Sequence, residues 1–314
     1  MFALDEKVIF RKTGNDVLAI GELLVDMITT DEEEITTYRQ FFGGAPANIA
    51  VNVKRLGIKS LIASAVGEDS MGDFLINHLI ENEIDTRLVQ RVKSATSMVL
   101  LNKSTGTPIP IFYRDADFSL TFEKALKDAV MESKIVHFSC WPISRMPSRH
   151  VIEEAIKVAK KNDVLICFDP NYHEMIWQKD EDGIQYVKSI ISKSDIIKPS
   201  EDDAQRIFGA DTASNQIKKF LDLGAKLVVM TLGEAGLIVS NGVETFKCTT
   251  LATEVVDTTG AGDAFWAGFY TALIKGYPIK EAIIFGNAAS AYKLKYIGAI
   301  VNLPKLEELK ELIK

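Results

Sequence analysis

The sequence predicts an α/β fold: a central, mostly parallel sheet between layers of helices, with a small β-sheet lid over it. Three observations predict it. Short apolar runs alternate with amphipathic helical segments along most of the chain, the pattern of parallel strands buried on both faces. Two β-rich stretches, residues 30–42 and 94–115, interrupt that rhythm. No repeat or low-complexity linker divides the 314 residues. The two interruptions therefore read as one discontinuous lid on a single large domain made of residues 1–29, 43–93 and 116–314.

The elements follow in order. "DVLAIG" reads as a first buried strand ending near Gly21, with an extended segment beyond it. "EITTYRQFFGG" is β-rich with mixed polarity. The helix "PANIAVNVKRLG" has Pro46 in its first turn, where a missing N–H costs nothing, and Gly57 past its end. "KSLIASAVG" is a strand, and "MGDFLINHLIENEI" a helix with apolar residues at helical spacing. "SATSMVLLNKSTGTPIPIFYRDAD" reads as two strands around a turn holding Gly106 and Pro108. After Ala116 the alternation resumes with strand "KIVHFSC", helix "PSRHVIEEAIKVAKKN", strand "VLICFDPN" and helix "GIQYVKSIISKS". A short strand "DIIKPS" and, after an amphipathic helix, a strand "KLVVMTLG" come next. Three helices close the chain: "AFWAGFYTALIKG", "IKEAIIFGNAASAYKLK" and "PKLEELKELIK".

Composition bounds the function. Hydrophobic residues make up 47% and charged residues 25%, ordinary for a globular chain that can bury its own core. The net charge of −7 argues against a nucleic-acid partner, which needs a basic footprint. It leaves room for a small anion held by local backbone dipoles. Cys140, Cys167 and Cys248 are scattered and odd in number, so they read as buried side chains in a reducing compartment. The N-terminal "MFALDEKVIFRK" lacks an apolar signal core, and no apolar run reaches the ~18 residues of a membrane helix. A cytoplasmic chain with no membrane partner is the expectation.

The chemistry centres on "VVDTTGAGDAF". It joins a strand end to a helix start, where open parallel sheets bind ligands. The first N–H groups of a helix have no intrahelical partner, and the dipole there is positive. Gly260, Ala261 and Gly262 would let an anion approach those donors. The same residues also read as a tight turn needing positive φ, and both readings stand. A dinucleotide fingerprint is excluded by the missing third small residue, and no Walker A loop occurs. Asp263 follows the small residues at once. A carboxylate there can orient an alcohol attacking a cradled phosphorus and take its proton late. Its ordinary pKa near 3.9 and the positive helix end predict the ionised form. The plainer alternative is a solvated acid in a first helical turn.

A second glycine-rich stretch, "FFGGAPANIAVNVKRLG", places Gly43 and Gly44 before a helix with Asn48 in its first turn. Together the two stretches resemble the signature regions of the ribokinase-like, or phosphofructokinase-B, carbohydrate kinases. The resemblance runs from "IGELLVDM" to "NAASAY". It implies a ribokinase-like three-layer sandwich and an ATP-dependent kinase of a small sugar. Asp263 then matches the base, and Gly260, Ala261 and Gly262 the anion hole. Asp26, Gly43, Gly44 and Asn48 match positions that hold sugar hydroxyls, and Arg114 in "FYRDAD" matches a lid arginine contacting substrate.

On the nucleotide side the resemblance covers Ser200, Thr231, Gly233, Gly236 and Asn287. In "KPSEDDA", Ser200 and Asp203 replace the family's Asn and Glu, with Asp203 implied as an indirect magnesium contact. A helix N-cap serine followed by acids explains the same residues. Asp257 and the Thr259 carbonyl match part of a monovalent-cation site, so ATP, Mg2+ and K+ are the implied ions and cofactors. His173 stands where arginine is common and reads as structural. "GGAPANIAV" resembles fructokinases, which makes fructose to fructose 6-phosphate the leading reaction. Ribose, 2-keto-3-deoxygluconate or a nucleoside are the other acceptors, and a catalytically silent binding protein is the non-enzyme reading. A homodimer through the lid is a further expectation.

Overall fold

The computed structural model describes residues 2–29, 37–102 and 110–313. Its strands are β1 (Asn15–Ile20), β2 (Leu24–Thr29), β3 (Tyr38–Gly43), β4 (Ser60–Gly67), β5 (Val89–Val92), β6 (Met98–Leu101) and β7 (Ile111–Tyr113). They continue as β8 (Ser133–Ser139), β9 (Leu165–Asp169), β10 (Ile196–Ile197), β11 (Leu227–Thr231), β12 (Leu237–Ser240) and β13 (Thr245–Cys248). The helices are α1 (Ala45–Arg55), α2 (Ser70–Glu81), α3 (Lys124–Met131), α4 (Cys140–Ile143), α5 (Ser148–Lys161) and α6 (Gly183–Ile191). Then come α7 (Glu201–Phe208), α8 (Ala213–Asp222), α9 (Ala261–Ile274), α10 (Ile279–Lys293) and α11 (Leu306–Leu309).

The large sheet runs β13-β12-β11-β10-β9-β8-β1-β4-β5. It is parallel from β5 to β11, with β12 and β13 antiparallel at one edge. Its strands read as unbroken apolar runs because both faces are covered. Along β11, Leu227 and Val229 enter the apolar cluster of α9 and α10, while Val228 and Met230 enter the opposite cluster. Strand β9 divides the same way, with Leu165 and Cys167 on one side and Ile166 and Phe168 on the other. Helix α9 is apolar all round because it is buried between the sheet, α1 and α10.

The small sheet runs β3-β2-β6-β7. The two β-rich stretches supply β3, β6 and β7, but they do not pair directly. Strand β2 lies between them, antiparallel to β3 and parallel to β6. The expected boundary placed residues 24–29 in the large domain; they form an inner strand of the small sheet instead. The reason is packing: Val25 joins Leu23, Ala47, Val51 and Leu75 in a third apolar cluster under this sheet. The turn expected at Gly106 and Pro108 lies outside the described residues.

Helix α1 ends as expected, with Gly57 at φ +90° beyond it. Strands β5, β12 and β13 and helix α3 were not read from the sequence. The last predicted helix is cut short: α11 buries Leu306 and Leu309, whereas residues 310–313 bury nothing and tighten into a 3₁₀ turn. All three cysteines are free, Cys140 and Cys167 being buried. Among the described residues no helix is long and apolar enough to cross a membrane.

Candidate active site

The carboxyl ends of β9, β10 and β11 open into a cleft of about 1130 Å³. Gly260, Ala261, Gly262 and Asp263 line it, as do Ser200, Thr231, Gly233, Gly236 and Asn287. Gly260 caps α9 at φ +73°, and an added Cβ would stand 2.6 Å from the Ala299 Cα. The tight-turn reading therefore holds there. Gly262 differs. A Cβ on it would meet only the Lys198 Nζ, at 3.2 Å. Among the described residues no side chain caps α9; the Ala261 N–H donates to the Thr258 carbonyl at 3.1 Å, which leaves the N–H groups of Gly262 and Asp263 to face an anion. One segment serves both readings: a turn at Gly260 and an open approach at Gly262.

Asp263 lies in the first turn of α9, where its Oδ2 accepts from the Asn48 Nδ2 at 2.9 Å. Burial pushes its carboxyl up to about 7. The Asn48 bond, Lys198 and Lys293 pull it down, and Asp169 adds to the rise. The expected ordinary pKa is thus corrected: desolvation outweighs the helix dipole. Asn48 is buried, and its Oδ1 has no partner among the described residues.

Lys198 was missed by sequence reasoning. It follows β10, is 5% exposed, and places Nζ 3.0 Å from Asp169 Oδ2. The Trp266 Nε1 donates to the same Asp169 oxygen at 2.7 Å, and the ammonium stands 5.5 Å from the Trp266 ring centre. A lysine inside "DIIKPS", at the end of a buried strand, was the available signal.

On the small-sheet side, Asp26 of β2 pairs with Phe41 of β3 and Val99 of β6. Its carboxylate lies against Gly43, where any Cβ would collide with it, and burial raises it to about 6. Gly44 caps α1 at φ +108°, and a Cβ there would strike the Glu22 carbonyl. Glu22 is a further missed residue. Its Oε1 accepts from the Ala45 N–H at 3.1 Å, and burial lifts its carboxyl to about 8.

Arg114, expected to contact substrate, is engaged within the chain. Its side chain is 3% exposed and pairs with Asp117 at 2.6 Å. Nε and Nη2 donate to Asp117, Nη2 also to the Trp141 carbonyl, and Nη1 to Ser144 Oγ and the Ile176 carbonyl. Those bonds occupy all the N–H groups of a guanidinium, and the group stacks 4.4 Å from the Trp141 ring centre. Arg114 ties the end of β7 to Asp117 and α4, with every N–H engaged.

Ser200 and Asp203 form a capping box on α7: Asp203 N–H donates to Ser200 Oγ, and the Ser200 N–H to Asp203 Oδ2. Asp203 Oδ1 accepts from the Tyr172 N–H at 2.7 Å, so both oxygens are engaged within the chain. Gly236 has φ +87° and abuts the Cys248 carbonyl, which fixes the turn between β11 and β12. The Thr231 N–H donates to the Pro199 carbonyl at 3.0 Å. Asn287 ties α10 to the cleft rim through the Thr249 carbonyl at 2.8 Å. Asp257 accepts from the Thr259 N–H through Oδ1, while the Lys293 Nζ donates to the Asp257 carbonyl at 2.6 Å. His173 packs edge-on against Phe112, and burial lowers its pKa.

The comparisons agree with this geometry. A family model described as pfkB family carbohydrate kinase matches residues 15–306. The chain belongs to the pfkB family. The chain is 58% identical over 315 residues to a protein of Thermoanaerobacterium thermosaccharolyticum named ATP-dependent 6-phosphofructokinase, covering 99% of this chain and 98% of that one. The solved fructokinase of Halothermothrix orenii shares 40% identity at a TM-score of 0.78, over 87% of this chain and 97% of that chain. A Xylella fastidiosa fructokinase with bound ATP shares 25% identity at a TM-score of 0.84, over 95% and 98% of the two chains. As a pfkB kinase with fructokinase and phosphofructokinase relatives, the chain is an ATP-dependent sugar kinase.

A pfkB kinase needs a place for magnesium, and the cleft fits one. Asp169, Asn171, Glu201 and Asp202 present oxygen donors along its wall. Magnesium usually keeps several waters and takes one or two carboxylates. Among the described residues no cluster of three or more His, Cys, Asp or Glu is poised to hold a metal by itself.

Proposed function

We propose that this pfkB kinase transfers the γ-phosphoryl group of ATP to a ketohexose, with fructose 6-phosphate as the acceptor. The 58% identity to a 6-phosphofructokinase across nearly the whole chain carries this reading. Free fructose, the reading drawn from "GGAPANIAV", is the second, supported by the 40% identical fructokinase. The acceptor alcohol sits between Asp26 and Asp263. Asp263 orients it and takes its proton, and Asn48 holds the Asp263 carboxylate in place. The α9 N-terminus, opened by Gly262, and the Lys198 ammonium face the transferring phosphoryl group. Asp169 and Glu201 would hold a magnesium ion bound with ATP, which would supply neutralisation of phosphate charge. The small sheet closes over the acceptor and keeps water out.

The two acceptors differ by a distal phosphate, which needs a cation. Arg39 supports the phosphorylated one. It is exposed on β3 and pairs with Ile28, two residues along from the Asp26–Phe41 pair. It therefore shares the Asp26 face at a separation of roughly 7 Å along the strand. Competing fructose 6-phosphate against fructose in an ADP-release assay tests the choice. The expected result is a preference for the phosphorylated sugar that Arg39→Ala abolishes, with fructose turnover unaffected. A wild-type preference for fructose establishes the second reading. For assembly, Ile111 and Tyr113, exposed on edge strand β7, support a homodimer through the small sheet. Light scattering of the wild type and of Tyr113→Glu checks it.

A further inference from the structure

Lys293 ends α10 with its side chain fully buried. Lysine is almost never buried without a partner, and an uncompensated ammonium in the interior is strongly destabilising. Among the described residues its partner is Asp257. Nζ donates to the Asp257 carbonyl at 2.6 Å and stands 3.6 Å from Asp257 Oδ2. The same carboxylate accepts from the Thr259 N–H at 2.9 Å and the Gly298 N–H at 2.7 Å. The segment is also tied to the end of α10, where the Leu294 carbonyl accepts from the Val256 N–H at 2.7 Å. Gly260 then packs on Ala299. A positive charge thus sits between two loops, at the foot of the turn that ends in Gly260, Ala261 and Gly262.

The family resemblance implies a monovalent cation at Asp257 and Thr259. The residues present do not fit one. The Asp257 carbonyl and carboxylate that would bind it already face the ammonium. A second cation at contact distance from that carboxylate would be repelled by the ammonium, and the partly buried site screens the repulsion weakly. Ammonium and potassium ions are alike in charge and close in size, so the one can serve where the other is bound.

We propose that the Lys293 ammonium replaces a bound monovalent cation in this kinase, holding residues 257–262 in register and fixing a positive charge behind the anion-binding glycines. The proposal rests on the kinase reading of that turn. Lys293 is a positioning residue, acting on the phosphoryl group through the turn. Its charge also reaches Asp263, whose carboxyl it pulls down against the larger push of burial.

The test measures ADP release by the full chain in potassium, ammonium, sodium and tetramethylammonium chloride at one ionic strength, with melting curves in the same salts. Equal wild-type rates and equal melting temperatures are expected. Lys293→Ala should lose on the order of tenfold or more in tetramethylammonium, as for a lost charge-assisted hydrogen bond. Potassium or ammonium should restore much of that activity and raise the melting temperature of the variant alone. A wild-type enzyme accelerated or stabilised specifically by potassium overturns the proposal. So does a Lys293→Ala loss that no cation repairs, which would make the side chain a packing element. If the variant fails to fold, the wild-type comparison decides. If no sugar is turned over, the kinase reading fails, while the melting curves still decide the role of Lys293.

Discussion

Replacing Asp263 with asparagine removes a charge while keeping the shape and the acceptor for Asn48. Two effects follow in opposite directions. Turnover should fall by ~10²–10⁴, the contribution of a positioned general base. Stability should rise. Burial lifts this carboxyl from 3.8 to about 7. The folded state therefore holds a proton that the unfolded chain has already released. The resulting penalty is absent below pH 3.8, grows as pH rises toward 7, and is constant above it. At about 1.36 kcal/mol per pH decade it reaches on the order of 2–4 kcal/mol at pH 8, allowing for the partial exposure of the group. At pH 5 it is less than half of that. Asp263→Asn lifts the penalty, so it should melt roughly 4–8 °C higher at pH 8 and show a smaller gain at pH 5. The assays are scanning calorimetry at the two pH values and ADP release by the folded variant. The wild-type kcat/KM should rise with pH through a midpoint near 7, as the base loses its proton. A variant keeping more than about a tenth of wild-type kcat would refute the base assignment. A stability gain independent of pH would refute the burial argument.

Lys198→Met should lower kcat by ~10²–10³, the loss expected when one donor to a developing phosphoryl charge is removed. Nucleotide titration by fluorescence should show ATP still bound, and an unchanged kcat would confine Lys198 to pairing with Asp169. Arg114→Ala should cost about 3–5 kcal/mol of stability by leaving Asp117 buried and unpaired. A denaturant midpoint measures that loss, and an unchanged midpoint with a raised sugar KM would restore a substrate-contact role.

The layered sheet was legible because strands covered on both faces carry continuous apolar runs, as β9 and β11 do. The turn into α9 was legible because Gly260, Ala261 and Gly262 are bare at a helix start. Strand β2 was less so: an extended segment with Val25 and Asp26 on opposite faces does not say which sheet it joins. Arg114 misled because its partner, Asp117, is only three residues on, and sequence alone does not show that both are buried. Lys198 and Lys293 were hidden for a related reason. Each looks like an ordinary exposed lysine until strands and loops from distant parts of the chain close over it. The Asp263 pKa reversed for the same cause, since the dipole is a local effect and desolvation is set by the whole site.

The central claim is that this cleft moves a phosphoryl group from ATP to a sugar alcohol. The most direct measurement is phosphorus NMR of the products after incubation with MgATP and fructose 6-phosphate. ADP and one new sugar phosphomonoester are expected in equal amounts, with none formed by Asp263→Asn on the same timescale. ADP accompanied only by inorganic phosphate would contradict it.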